Sequence, residues 1–210
     1  KSESLAANSP EDPEYIPQPE KIDFSPLNNN PSINNPDKLV KITNDICTQS
    51  IANEVESYGS LNSTNDRVFI FNNKNLYAKK DVPSANLKLT VKEKDASSWS
   101  QVLCRELEEI DTENILNNTI KKTKLAKAPK EIQPGRYSVI LEAPALGEIL
   151  RFLSSHLNEK NIDLGTSAFS GKINTTVSSK ELSLNSKTDS VQKYEPWSEE
   201  GIPAGDYEII

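Results

Sequence analysis

The stretch Pro134-Gly-Arg-Tyr-Ser-Val-Ile-Leu141, followed by Pro144, constrains this chain more than any other. A Pro-Gly pair is turn chemistry, and an aromatic and β-branched run directly after it predicts a buried strand over 137–141. Pro144 suits the first turn of a helix, which the pattern carries over 144–160. On that helix Ala145, Ile149, Phe152, Leu153 and His156 fall on one stripe.

Upstream, residues 1–36 read as a polar lead-in, rich in proline and asparagine around Glu11-Asp-Pro-Glu-Tyr-Ile-Pro-Gln-Pro19, Asn28-Asn-Asn-Pro31 and Asn34-Asn-Pro36. Asn35 is placed to cap a helix from Pro36 to about Asn53, with Leu39, Ile42, Ile46 and Ile51 on its apolar face. Arg67-Val-Phe-Ile-Phe71, the turn Asn72-Asn-Lys-Asn75 and the alternation Leu87, Leu89, Val91 predict antiparallel sheet over 67–95, with one wet face. Asp111 caps a further helix to about Ala126 that carries Ile115, Leu116 and Ile120. Residues 127–134 read as a linker. A second strand is expected over 177–184, and Gly205-Asp-Tyr-Glu-Ile-Ile210 looks like the start of another. The fold class is therefore α+β. Residues 37–128 are assigned to a mixed α/β N-terminal domain and 129–210 to the start of a β-rich C-terminal domain, only partly covered by this chain.

Net charge is −7 with a pI near 4.9, which argues against general nucleic-acid binding, because phosphate contacts need clustered Lys and Arg. No run approaches the ~20 apolar residues of a membrane helix, and no signal peptide opens the chain. The expected location is cytoplasmic, with Cys47 and Cys104 as two free buried thiols. The sequence has no methionine, so it is expected to be a section of a longer product or one whose start was removed.

His156 is the only histidine. It reads either as a half-buried side chain with one satisfied hydrogen bond or as a residual metal ligand. A catalytic zinc takes three protein ligands, so one histidine cannot fix it, and the first reading is preferred. Cys47 and Cys104 form no Cys-x-x-Cys pair. The acidic clusters Glu106-Leu-Glu-Glu109 and Glu199-Glu200 could serve acid/base chemistry if desolvated, but read first as solvated surface.

Four blocks follow in order: the Pro134 turn and strand with its helix, Gly165-Thr-Ser-Ala-Phe-Ser-Gly171, Val177-Ser-Ser-Lys-Glu-Leu-Ser-Leu184, and Trp197-Ser-Glu-Glu-Gly-Ile-Pro203. Together they resemble the TldD/PmbA family, the so-called modulators of DNA gyrase, whose active members are zinc metalloproteases. In those members the helix after the strand carries His-Glu-x-x-x-His. Laid alongside without gaps, Arg151 falls at the first histidine, Phe152 at the glutamate and His156 at the second histidine. Arginine is a fixed cation that repels a metal dication, and phenylalanine cannot act as general base.

The resemblance thus implies a PmbA (TldE)-like subunit with no catalytic residue and no cofactor of its own. Such a subunit would take part in proteolysis or peptide processing within a heteromer that includes a TldD-like, metal-bearing partner; a homodimer is the other arrangement. Peptides would be the substrates, with no nucleic acid and no membrane. The alternatives are an active zinc peptidase that uses His156, or a peptide-binding scaffold without turnover. Family members are about twice this length.

Overall fold

The computed structural model describes residues 2–11, 13, 15, 17–21, 35–188 and 196–209. A short helix not read from the sequence, α1 (Ser2–Ala6), opens it; the asparagine-rich stretch of the lead-in, 28–34, lies outside the described residues. The next helix, α2 (Pro36–Ala52), starts as its sequence dictates. Asn35 is extended, and its side chain accepts the N–H of Asp37 at 3.0 Å, while Pro36 needs no hydrogen-bond partner for its nitrogen. Ile46 and Ser50 are buried on its inner face, with Leu39 and Ile42 packed against the same core. Ile51, expected on that face, is 77% exposed. It lies five residues past Ile46, a rotation of roughly 140°.

Three antiparallel strands follow in the order β1 (Glu56–Phe71), β2 (Tyr77–Glu93) and β3 (Ala96–Cys104). The sheet is longer than the 67–95 span read from the sequence at both ends. The serine- and asparagine-rich first half of β1, and Ser97-Ser98 of β3, lack the alternation that marks a strand. They are drawn in by pairing with β2, whose Leu87, Leu89 and Val91 are almost fully buried. The β1–β2 turn is built as expected: the Asn72 side chain accepts the N–H groups of Lys74 and Leu76, and Asn75 takes φ +64°.

The next helix, α3 (Thr112–Leu125), packs over β2 and β3, with the Asp111 side chain accepting the N–H of Asn114 at 3.0 Å. Its buried face alternates apolar and hydroxyl groups: Leu116, Thr119, Ile120 and Thr123. The Thr123 hydroxyl meets the Val91 carbonyl at 3.2 Å and Ser98 Oγ at 2.7 Å, and Thr119 Oγ1 meets Ser100 Oγ at 2.8 Å. Small serines on β3 thus let the helix approach while every buried hydroxyl stays bonded. Ile46, Val55, Leu87, Leu89, Val91, Leu107, Ile110, Leu116 and Ile120 close the core.

Because β3 pairs with β2 only from Ala85 onward, the tip of the β1–β2 ribbon projects as a two-stranded arm. Pro83 is tolerated there because β2 has a strand on one side only. The arm packs on residues 196–207. Leu76, Ala78 and Trp197 are buried, and Lys80 Nζ lies 4.4 Å over the Trp197 ring. Gly201 has φ +80°, and a Cβ there would stand 2.5 Å from Leu76 Cδ2, so glycine is required twice over.

Between these parts several sequence expectations fail. Residues 137–141, read as a buried strand, pair with no strand among the described residues and are exposed, Val139 at 72% and Ile140 at 99%. The apolar run has strand composition, but a strand needs a neighbour to take its N–H and C=O groups. The helix read over 144–160 is α4 (Ala143–His156), ending earlier, because Asn158 caps a separate helix, α5 (Glu159–Asp163). Residues 177–184 form no strand. Two residues beyond them, β4 (Asn185–Ser186), pair with β5 (Tyr207–Glu208), which is all that forms of the expected final strand among the described residues. Both cysteines are free, but Cys47 is exposed rather than buried, since it sits about 100° round α2 from Ile46. The architecture is α+β.

Candidate functional site

Helix α4 carries the three residues singled out in the sequence, and the structure orients each differently. The Arg151 guanidinium is turned back along its own helix to Glu148, with Nη2 at 3.0 Å and Nε at 3.3 Å from Oε2. Both side chains are mostly exposed, so the pair is a surface feature worth little stability. Phe152 is 70% exposed, and its ring meets the His156 ring edge-on at 5.0 Å between centroids. His156 is half-buried at the end of the helix.

The block 165–171 wraps that end. Nδ1 of His156 accepts the backbone N–H of Ala168 at 3.1 Å, and its carbonyl accepts the Ser167 hydroxyl at 2.6 Å. Ser167 Oγ in turn accepts the N–H of Phe169 at 2.9 Å. The Asn161 carbonyl receives the N–H groups of Thr166 and Ser167, and the Asn161 side-chain amide donates to the Ser155 carbonyl at 2.8 Å. Gly165 takes φ +71° to turn the chain into this knot.

By donor chemistry the site does not fit a catalytic zinc. Arg151 is a paired cation, Phe152 has no donor atom, and the accepting nitrogen of His156 is already occupied. Among the described residues no group of three or more His, Cys, Asp or Glu side chains is arranged to hold a metal ion. The other candidates lie on other elements. Cys104 is buried on β3, its Sγ 3.2 Å from the Glu106 carbonyl, and burial pushes its thiol pKa up, with the Glu109 and Glu106 charges adding to the shift. Glu106 and Glu109 cap a 3₁₀ turn over Leu107–Glu109, and Glu108 pairs with Lys38, which holds its carboxyl below the usual range. Glu200 is likewise lowered, by the Ser198 hydroxyl that donates to it at 2.7 Å.

Two concavities were not legible in the sequence. One, of about 810 Å³, lies between the arm and the C-terminal segment, with Asp66, Val68, Lys80, Trp197, Glu200 and Tyr207 on its walls. The other, of about 650 Å³, runs between β3, α3 and the start of α4, where Lys122 Nζ reaches the Glu142 carboxylate at 2.5 Å. Only the Trp197 block hinted at the first, because a tryptophan amid polar residues needs a surface to bury against.

A profile described as the PmbA/TldA metallopeptidase C-terminal domain matches residues 134–210. A search of curated proteins by sequence finds no match. Three solved structures share the fold. One is a protein from Thermotoga maritima described as a modulator of a DNA gyrase, with TM-score 0.77, 14% identity, and coverage of 93% of this chain and 48% of that one. The second, from Bacteroides thetaiotaomicron and described in similar terms, has TM-score 0.72 and 14% identity, covering 84% and 43%. The third is TldE from Thermococcus kodakarensis, with TM-score 0.72 and 16% identity, covering 99% and 50%. This chain spans half or less of the length of each. At such identities the likeness establishes the fold.

Proposed function

We propose that this chain, whose residues 134–210 match the PmbA/TldA metallopeptidase C-terminal domain, belongs to the TldD/PmbA family and acts as the non-catalytic subunit of a heteromeric metalloprotease that degrades or trims peptides. The observation that carries this reading is the state of α4. At the positions where an active subunit carries its first histidine and glutamate, this chain has Arg151, paired with Glu148, and Phe152, stacked edge-on against His156. A guanidinium repels a metal dication, and a phenyl ring cannot activate a metal-bound water. The chemistry would then lie on a TldD-like partner, while this subunit completes the substrate chamber and fixes the partner's orientation. A cytoplasmic setting is part of the same proposal.

A second reading is a peptide-binding scaffold. Among the described residues the outer edge of β1 (Glu56–Phe71) has no strand beside it in the sheet, and an extended peptide can add to such an edge. Reconstitution separates the readings. The partner-subunit account expects no peptide hydrolysis by this protein alone and turnover on adding a His-Glu-x-x-x-His subunit. Peptide affinity without turnover in any mixture would favour the scaffold. Zinc-dependent turnover by this protein alone, abolished in His156→Ala, would overturn both.

A further inference from the structure

The direction of one hydrogen bond sets the chemistry of His156. The Ala168 backbone N–H donates to Nδ1 at 3.1 Å. A ring nitrogen that accepts a hydrogen bond carries no proton, and neutral imidazole has one proton to place, so that proton sits on Nε2. We infer that His156 is held as the Nε2–H tautomer and works as a clamp that fastens the 165–171 loop to the end of α4, rather than as a metal ligand.

A histidine that binds a metal through Nε2 nearly always donates its Nδ1–H to a carboxylate, a carbonyl or water. In this chain the group facing Nδ1 is itself a donor. For Nε2 to take a cation, its proton must move to Nδ1, which sets N–H against N–H, or leave altogether and make an imidazolate. The first route expels the Ala168 amide, and the second takes a proton that neutral imidazole gives up only in strong base.

That amide does not stand alone. The neighbouring Ser167, 8% exposed, donates its hydroxyl to the His156 carbonyl at 2.6 Å, so backbone and ring of one residue grip adjacent residues of the loop. The Phe152 ring lies edge-on beside the imidazole at 5.0 Å. The misfit to a metal therefore extends past the replaced residues Arg151 and Phe152 to the polarity of the partner behind the histidine that remains. The clamp stands on the geometry of His156 alone and is independent of the partner-subunit reading.

Because His156 is the only histidine in the sequence, its ring nitrogens give one unassisted set of signals in a multiple-bond proton–nitrogen NMR spectrum of the labelled protein. The expected result is Nδ1 at the unprotonated position and Nε2 at the protonated one, both unmoved by added zinc chloride. An Nδ1–H pattern, or a zinc-induced shift of Nε2, would overturn the inference. Hydrogen exchange at the Ala168 amide gives the second arm. His156→Ala should speed it roughly five- to tenfold, the worth of one net hydrogen bond. His156→Asn, whose Oδ1 can accept near the place of Nδ1, should restore most of the protection, and equal exchange in all three proteins would remove the clamp. Zinc-dependent turnover by this protein with the tautomer unchanged would defeat the partner-subunit reading and leave the clamp standing.

Discussion

Residues 36–125 and residues 134–188 carry similar apolar patterns and do opposite things with them. In the first region Leu87, Leu89, Val91, Leu116 and Ile120 all point into one core. In the second, α4 buries no residue, and Ile140, Phe152 and Ile149 are 99%, 70% and 53% exposed. The polar bonds differ in the same way. The hydroxyls of Thr119 and Thr123 sit inside the first region's core, whereas the bonds around His156 tie a loop to a helix end at the surface. The core of the first region closes on itself. The second is organised locally by hydrogen bonds and leaves its apolar side chains at the surface of this chain.

The contrast breaks most readily through truncation. Leu116→Ala, at a site 1% exposed, should cost about 3 kcal/mol in urea unfolding at unchanged m-value, while Ile149→Ala on α4 should cost under about 0.5 kcal/mol. Equal losses would mean that α4 is packed in solution. Next in size is Thr123→Val, which removes the hydroxyl that meets the Val91 carbonyl and Ser98 Oγ, while Ser98 keeps its bond to the Thr119 carbonyl, and should cost about 1 kcal/mol. Glu142→Gln removes the ion pair that ties the start of α4 to Lys122 of α3. It should cost about 0.5 kcal/mol or less, and shows best as faster amide exchange at the N-terminal turn of α4 with none in α3.

The smallest effect is a pH dependence confined to the first region. Lys38 holds the Glu108 carboxyl below its ordinary range in the folded chain, so the pair's stabilisation is present above the unfolded carboxylate pKa and fades as pH falls through the lowered folded value. Lys38→Gln should flatten that part of the acid unfolding profile. No change in the profile would mean that the pair contributes nothing.

The same comparison shows what could be read in advance. Asn35 and Asp111 were legible as caps because a cap is a contact within three residues, and the Leu87–Val91 alternation was legible because a half-buried strand writes it directly. The first half of β1 and most of β3 were not, because their serines and asparagines become strand only through pairing with β2. Residues 137–141 misled for the converse reason, since apolar composition states a need for burial and not the presence of a partner. At the site, the positions of Arg151, Phe152 and His156 on one helix followed from spacing. The Ala168 amide on Nδ1 could not, because a loop twelve residues on supplies it.

The central claim, that this subunit leaves the metal chemistry to another chain, is tested most directly by native mass spectrometry of the full-length protein purified gently from its own cells. The account predicts a heteromer in which zinc travels with the second subunit when the complex is dissociated. A homo-oligomer retaining about one zinc per chain would contradict it.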